Sequence, residues 1–266
     1  MSSHQTVALD DASLARYAPS VFAERPYHEV SDRYGFIPTI RVIEALRGEG
    51  WKLVSAAEQR VRIEDKRGFT KHLIRFRHVD AKPVLGDVYP EIVLINSHDR
   101  SSAYTVEAGL IRFACMNGLI VSDGSFGGFS VYHSQKDIVG RVLEGTCNIV
   151  REIPQIAGKV EQMHAVKLAR EEQEAFAASA QMLRWEERTP VTSDQLLRIR
   201  RGADTSDDLW TVYNRVQENL LRGGMRGVNA RGRRMKVRAV KSINEDTRIN
   251  RALWALAEKM AMLKAA

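Results

Sequence analysis

The spacing of apolar residues changes part-way along this chain, and that change constrains its fold more than any other feature. Before residue 137 the apolar residues come in short runs, several with alternation. From Asp137 to about Arg188 they recur every three or four positions, through Ile138, Val142, Ile149, Ile153, Ile156, Val160, Met163 and Val166. Period-two runs mark half-buried strands, and a period near 3.6 marks helices. Ala, Glu, Gln and Lys fill the spaces of the second stretch, and all favour helix. The chain therefore reads as α+β, a mixed strand/helix N-terminal half packed with a helix-rich C-terminal half. The expected division is an arm over 1–30, an α+β core over 31–136 and a helical region over 137–266.

Local signals fill in that outline. A short helix is expected in the arm. Pro38 and Thr39 open a helix over 38–50, with Ile40, Ile43 and Leu46 three apart and Gly48 and Gly50 at its end. Residues 51–63 and 71–79 read as extended, joined through the turn at Lys66-Arg67-Gly68 into a hairpin. The run EIVLINS, 91–97, is the best candidate for a buried strand. Val106, Gly109, Leu110 and Phe113 have helical spacing, which predicts a helix over 105–115. Strands over 119–121 and 129–132 flank a glycine-rich turn at 123–128. Pro154 is expected to break or kink the long helical stretch, leaving two helices. Thr192 or Ser193 caps a further helix. Another runs from about Leu209 to Leu221 and ends at Gly223-Gly224, and a last one runs over 244–264.

Composition excludes several classes. At 266 residues the chain is long enough for a sizeable core. No apolar run approaches the length of a membrane span, and the first ten residues lack the pattern of a secretory signal. Two cysteines, Cys115 and Cys147, are too few for a disulfide framework or a four-cysteine zinc site. A reducing, cytoplasmic setting is the expectation, with no membrane partner. Cys115 lies among Phe113, Ala114 and Met116 and reads as a small buried hydrophobe.

Catalytic signatures are sparse. His98-Asp99 is a pair that ligates metal in some phosphohydrolases, but no convergent set follows from His72, His78 and His133, and the pair reads as a hydrogen-bonded turn. Gly124, Gly127 and Gly128 lack the Lys-Ser/Thr of a phosphate-binding loop and read as a hairpin turn. Neither a nucleophile elbow nor a zinc-protease helix motif is present. No catalytic residue, metal site or cofactor is expected.

Charge is more informative. The net charge is +7. Arg222, Arg226, Arg231, Arg233, Arg234, Lys236, Arg238 and Lys241 fall within residues 222–241, which hold no Asp or Glu. The rest of the chain is close to neutral. A concentrated basic segment on a neutral body points to a polyanionic partner, most often nucleic acid. Arginine offers paired contacts to phosphate, and the interleaved glycines let the backbone follow a phosphate track. No aromatic lies between Tyr213 and Trp254, so any base stacking must come from elsewhere, for example Trp210, Phe126 or Phe129. Trp210 and Tyr213, three apart, read as core, as does Trp254. The composition predicts a flexible loop or extended hairpin over 223–238, ordered by its partner.

Several motifs resemble those of the "domain of unknown function 932" family of phage and plasmid proteins. They are HDRSSAY at 98–104, GLIRFACMNGL at 109–119, the Trp210, Tyr213, Asn214 and Glu218 pattern, and TRINRALW at 247–254. His133 falls where that family tends to have a short basic strand containing histidine. The resemblance covers about residues 30–264. It implies a setting in mobile elements, near recombination or replication genes. The order of elements is also similar to that of phage single-strand annealing proteins. Asn117-Gly118 in this pattern fits a helix cap or turn.

The expected function is thus a non-enzymatic nucleic-acid-binding protein of a phage or plasmid, acting in single-strand annealing, recombination or DNA protection. It is expected to form a homo-oligomer and to contact mainly the backbone of single-stranded DNA. The alternative is an interaction protein that blocks a host defence or replication protein, its basic segment docking an acidic surface. A metal-dependent nuclease or phosphohydrolase using His98 and Asp99 is the third reading.

Overall fold

The computed structural model of the chain describes residues 8–31, 34–61, 63–113, 117–121, 128–186 and 188–265. It divides into two compact units, one built from residues 1–113 and 118–153, the other from 114–117 and 154–266. The α+β class is as the periodicity indicates.

The first unit is built on a six-stranded sheet. Its strands are β1 (Trp51–Glu58), β2 (His72–His78), β3 (Val88–Asn96), β4 (Tyr104–Arg112), β5 (Asn117–Ile120) and β6 (Gly128–Val131). They lie in the order β1-β2-β3-β4-β5, and β6 also pairs with β4. The pairings β1–β2, β2–β3, β3–β4 and β4–β6 are antiparallel. Register puts Ile74, Leu94 and Val106 on one face, with Phe76, Ile92 and Ala108 beside them. Helices α1 (Asp11–Tyr17) and α2 (Thr39–Gly48) pack against the sheet through β1. They bury Leu14 and the three apolar residues Val42, Ile43 and Leu46. Each such side chain removed from water contributes about 1.5–3 kcal/mol. Thr39 begins α2, just after Pro38, and points into the sheet at a polar end described below.

The region 105–115 corrects the helical expectation. Tyr104–Arg112 is strand β4, paired on both edges. Apart from Thr105 it is buried on both faces, so it reads as a near-continuous apolar run that mimics helical spacing. Asn117 and Gly118 likewise open strand β5 rather than cap a helix. Gly118 is there because the Arg75 guanidinium lies over it. A Cβ at Gly118 would sit 2.5 Å from the guanidinium carbon. Arg75 donates to the Leu119 carbonyl oxygen and pairs with Glu91, which also binds Arg77 at 2.6 Å. Cys115, Phe126 and the core of the 123–128 turn lie outside the described residues.

Pro154 does not divide the long helical stretch. Helix α3 (Ile138–Ala165) runs through it. Proline removes one backbone bond, to the carbonyl of residue 150, and crowds that turn. Pro154 and Val150 are both exposed, so the freed carbonyl faces the wet side of the helix. The opposite stripe of Val142, Ile149, Ile156, Val160 and Met163 is buried and keeps the helix going. The break comes at 166–169 instead. There the chain exchanges backbone bonds with residues 207–209, Leu168 N–H to the Asp207 carbonyl and Leu209 N–H to the Val166 carbonyl.

The second unit gathers α4 (Arg170–Arg184), α5 (Ser193–Leu197), α6 (Leu209–Arg222) and α7 (Ile243–Ala265). Thr192 caps α5 and Asp208 caps α6, each accepting from a backbone N–H in the first turn. Helix α6 is the centre, with every residue from Leu209 to Leu220 buried. Trp210 stacks on Tyr213 at 5.6 Å between ring centres, and Tyr213 packs edge-on against Trp254 at 6.1 Å. All three are core, as their spacing indicates. Polar residues on α6 are bound as well as buried: Gln217 donates to Asn250, and Asn219 donates to the Leu196 and Arg198 carbonyls. Among the described residues no helix is long and apolar enough to cross a membrane.

Candidate nucleic-acid interface

The basic segment is a folded antiparallel hairpin. Strand β7 (Arg226–Val228) pairs with β8 (Arg234–Lys236), with Arg226 opposite Lys236, Gly227 opposite Met235 and Val228 opposite Arg234. A lone two-stranded hairpin is marginal in water. This one is tied down at three places. At its base Gly223, at φ +61°, turns the chain out of α6, and a Cβ there would come within 2.7 Å of the Val237 and Arg238 carbonyl oxygens. Along β7, Val228 N–H donates to the Pro190 carbonyl and Gln195 donates to the Arg226 carbonyl. At the tip the Asn229 side chain accepts from the N–H groups of Arg231 and Arg233, closing the turn.

The pleat sorts the side chains. Successive residues of a strand point to opposite faces. Met225, Gly227, Met235 and Val237 share one face. Met225 is 9% exposed and Val237 3% exposed. A Cβ on Gly227 would run into the Pro190 carbonyl, so this face lies against the unit at Met225, Gly227 and Val237, while Met235 on β8 is 37% exposed. Arg226, Val228, Arg234 and Lys236 share the other face, and all four are exposed. Arg231 and Arg233 are exposed at the tip, Arg238 and Lys241 at the base. An open groove of about 700 Å³ runs along the hairpin.

The eight cations named from the sequence are thus not equivalent. Arg222, on the last turn of α6, pairs with Glu218 at 2.9 Å, and Glu218 also binds Arg201. Among the described residues, no ion pair is found for the other seven. Arg226 and Lys236 stand directly opposite each other. Like charges at such a position destabilise a hairpin. Arg184 donates to the Leu220 and Arg238 carbonyls, joining the end of α6 to the end of the hairpin, and its burial lowers its pKa.

His98 and Asp99 part company. His98 is fully buried in the first unit, and the Asp99 carboxylate, 8% exposed, accepts from Ser101 N–H and pairs with Lys66. Both residues lie in the hydrogen-bonded bend that follows β3, and the His98 ring turns from it into the unit. His98 Nε2 lies 3.1 Å from the Thr39 hydroxyl, which also meets His72 Nε2 at 2.9 Å and Asn96 Nδ2 at 3.0 Å. His133 Nε2 lies 3.0 Å from the Asn96 side-chain oxygen. Three histidines distant in sequence do converge, which their spacing did not reveal.

Proton placement in this cluster follows from counting donors. His72 Nδ1 faces the Thr70 carbonyl, which only accepts, so Nδ1 carries the hydrogen. His72 Nε2 then accepts from the Thr39 hydroxyl. Asn96 and His98 Nε2 donate to the same hydroxyl oxygen. Burial lowers the pKa of His72 to about 4 and of His98 to about 2, and His133 also falls. All three rings are neutral near pH 7. Among the described residues no group of three His, Cys, Asp or Glu is placed to hold a metal. The cluster is a buried hydrogen-bond network that fixes α2 on the sheet.

Comparison with known proteins places the chain. The family model described as "Domain of unknown function (DUF932)" matches residues 26–254. The chain belongs to this family. The match includes the segments at 98–104 and 109–119 and the helix α6 pattern that carried the resemblance. Two relatives, UPF0380 protein YafZ and UPF0380 protein YfjQ of Escherichia coli (strain K12), are each 41% identical over 248 residues. In both cases the alignment covers 93% of this chain and 89% of the relative. No solved structure matches. The signature residues of α6 have structural duties: Trp210 and Tyr213 are core, and Asn214 donates to the Trp210 carbonyl. Among the described residues no such duty is found for the side chains of the hairpin cations.

Proposed function

We propose that this DUF932 protein is a nucleic-acid-binding protein of a phage or plasmid, and that the β7–β8 hairpin is its contact surface. One observation carries the reading: a folded ribbon presents Arg226, Arg234 and Lys236 on a single exposed face, with Arg231 and Arg233 at its tip. An anion bound at this face would relieve the repulsion between Arg226 and Lys236. Phosphate oxygens suit this array because arginine binds them in pairs. The protein's role is binding, with DNA protection or recombination as the setting.

The test replaces Arg231, Arg233, Arg234, Lys236 and Arg238 together with Gln. All five side chains are exposed, so far-UV circular dichroism should be unchanged. Affinity for oligonucleotides of unrelated sequence should fall by a similar factor for each. Unchanged affinity refutes the hairpin as the contact surface. The paired Arg222 serves as a control, and Arg222→Gln should weaken binding much less than Arg234→Gln.

A further inference from the structure

We infer that the nucleic acid held by the hairpin is B-form duplex DNA, with the outward face of the β7–β8 ribbon seated in the major groove. The inference rests on the reading of the hairpin as a nucleic-acid interface, and adds which nucleic acid and which groove.

Shape supports it first. Two paired strands lie about 4.7–4.9 Å apart, and the outward face of β7 and β8 is free although the β7 edge is bonded to Pro190 and Gln195. The major groove of B-DNA, about 12 Å wide, admits a two-stranded ribbon, and the minor groove, about 6 Å wide, does not. The major groove of an RNA duplex is too deep and narrow for side chains to read. Outward positions two residues apart are separated by roughly 6.6 Å, about two base-pair steps.

The chemistry of the face agrees. Val228 stands among the three outward cations and is 51% exposed. A pure phosphate track has no use for an apolar side chain there. The major groove does, because each thymine presents a methyl group in it. Val228 faces the base edges, while the long side chains of Arg226, Arg234 and Lys236 around it, Arg231 and Arg233 at one end and Arg238 and Lys241 at the other reach for the flanking phosphates.

Single strands are disfavoured by what the hairpin lacks. Binding to unpaired bases relies on aromatic stacking as well as charge. Trp210, Tyr213 and Trp254 are at most 3% exposed. Trp185, beside the hairpin base, already carries the Arg184 guanidinium 4.8 Å from its ring centre. Phe129 belongs to the other unit and packs on Gly145 of α3.

The experiment is a fluorescence-anisotropy titration of the full chain with three labelled 20-mers of one sequence: duplex DNA, single-stranded DNA and duplex RNA. Methyl green, a major-groove ligand, and netropsin, a minor-groove ligand, are added as competitors. Duplex DNA should bind at least ~10-fold more tightly than the other two, a difference of about 1.4 kcal/mol. Methyl green should compete and netropsin should not. Val228→Glu, on the exposed face, should keep the fold and lose the preference. Equal or tighter binding to single-stranded DNA or duplex RNA, or competition by netropsin alone, overturns the duplex inference and leaves the hairpin reading standing. Binding to none of the three at low salt removes both.

Discussion

Replacing Thr39 with Val tests the buried network that anchors α2. The side chains have nearly the same shape, so the change removes one hydroxyl and little volume. In the structure that hydroxyl serves three groups: His72 Nε2, His98 Nε2 and Asn96 Nδ2. Each buried polar group left without a partner costs about 1–3 kcal/mol. Three such groups give about 3 kcal/mol at the least and about 9 kcal/mol without rearrangement. Thr39→Ser keeps the hydroxyl and removes one methyl, about 1 kcal/mol. Urea unfolding followed by circular dichroism separates the two variants. Thr39→Val should unfold at a clearly lower urea concentration than Thr39→Ser. Equal midpoints would show that the hydroxyl does not hold the cluster together.

Three further outcomes follow from named residues. Because burial lowers the pKa values of His72 and His98, the unfolded chain takes up protons between about pH 6.5 and pH 4 that the folded chain refuses. Stability therefore falls as pH drops through that window, by roughly 1 kcal/mol per pH unit for each histidine; urea midpoints at pH 7 and pH 5 check this, and equal values count against it. Glu91→Ala removes the buried carboxylate that pairs with Arg75 and Arg77 and should cost about 3–5 kcal/mol, measured by thermal unfolding. Trypsin should cut first at the exposed Arg231 and Arg233 of the hairpin tip, and added DNA should slow that cleavage; a rate indifferent to DNA argues for a different contact surface.

Elements with one wet face were legible in the sequence. The helix at Thr39–Gly48 and strand β1 were expected within a few residues, because helical spacing or alternation separates their buried and exposed sides; β2 was legible because Arg75 and Arg77 alternate with apolar residues in its sequence, although Arg75 is buried. Strand β4 was not, because a strand buried on both faces has no alternation to read. Pro154 misled because its position on the exposed side of α3 is a tertiary fact. For the binding surface, the cations were legible and their sorting was not. The run Met225-Arg226-Gly227-Val228 alternates over too few positions to announce a ribbon. That Arg222 belongs to Glu218 needs the helix turn and the buried carboxylate together. The histidine cluster depends on the register that sets His72 opposite Asn96, and His98 and His133 come from other segments.

The central claim is that the hairpin cations neutralise phosphates, and the salt dependence of binding measures this most directly. On duplex DNA each phosphate that a protein neutralises adds about 0.9 to the steepness of log K against log salt. Replacing Arg231, Arg233, Arg234, Lys236 and Arg238 with Gln should flatten the slope by up to about 4.5 if each holds one phosphate. A slope equal to that of the wild type, whatever the affinity, would place the phosphate-binding residues elsewhere and contradict the account.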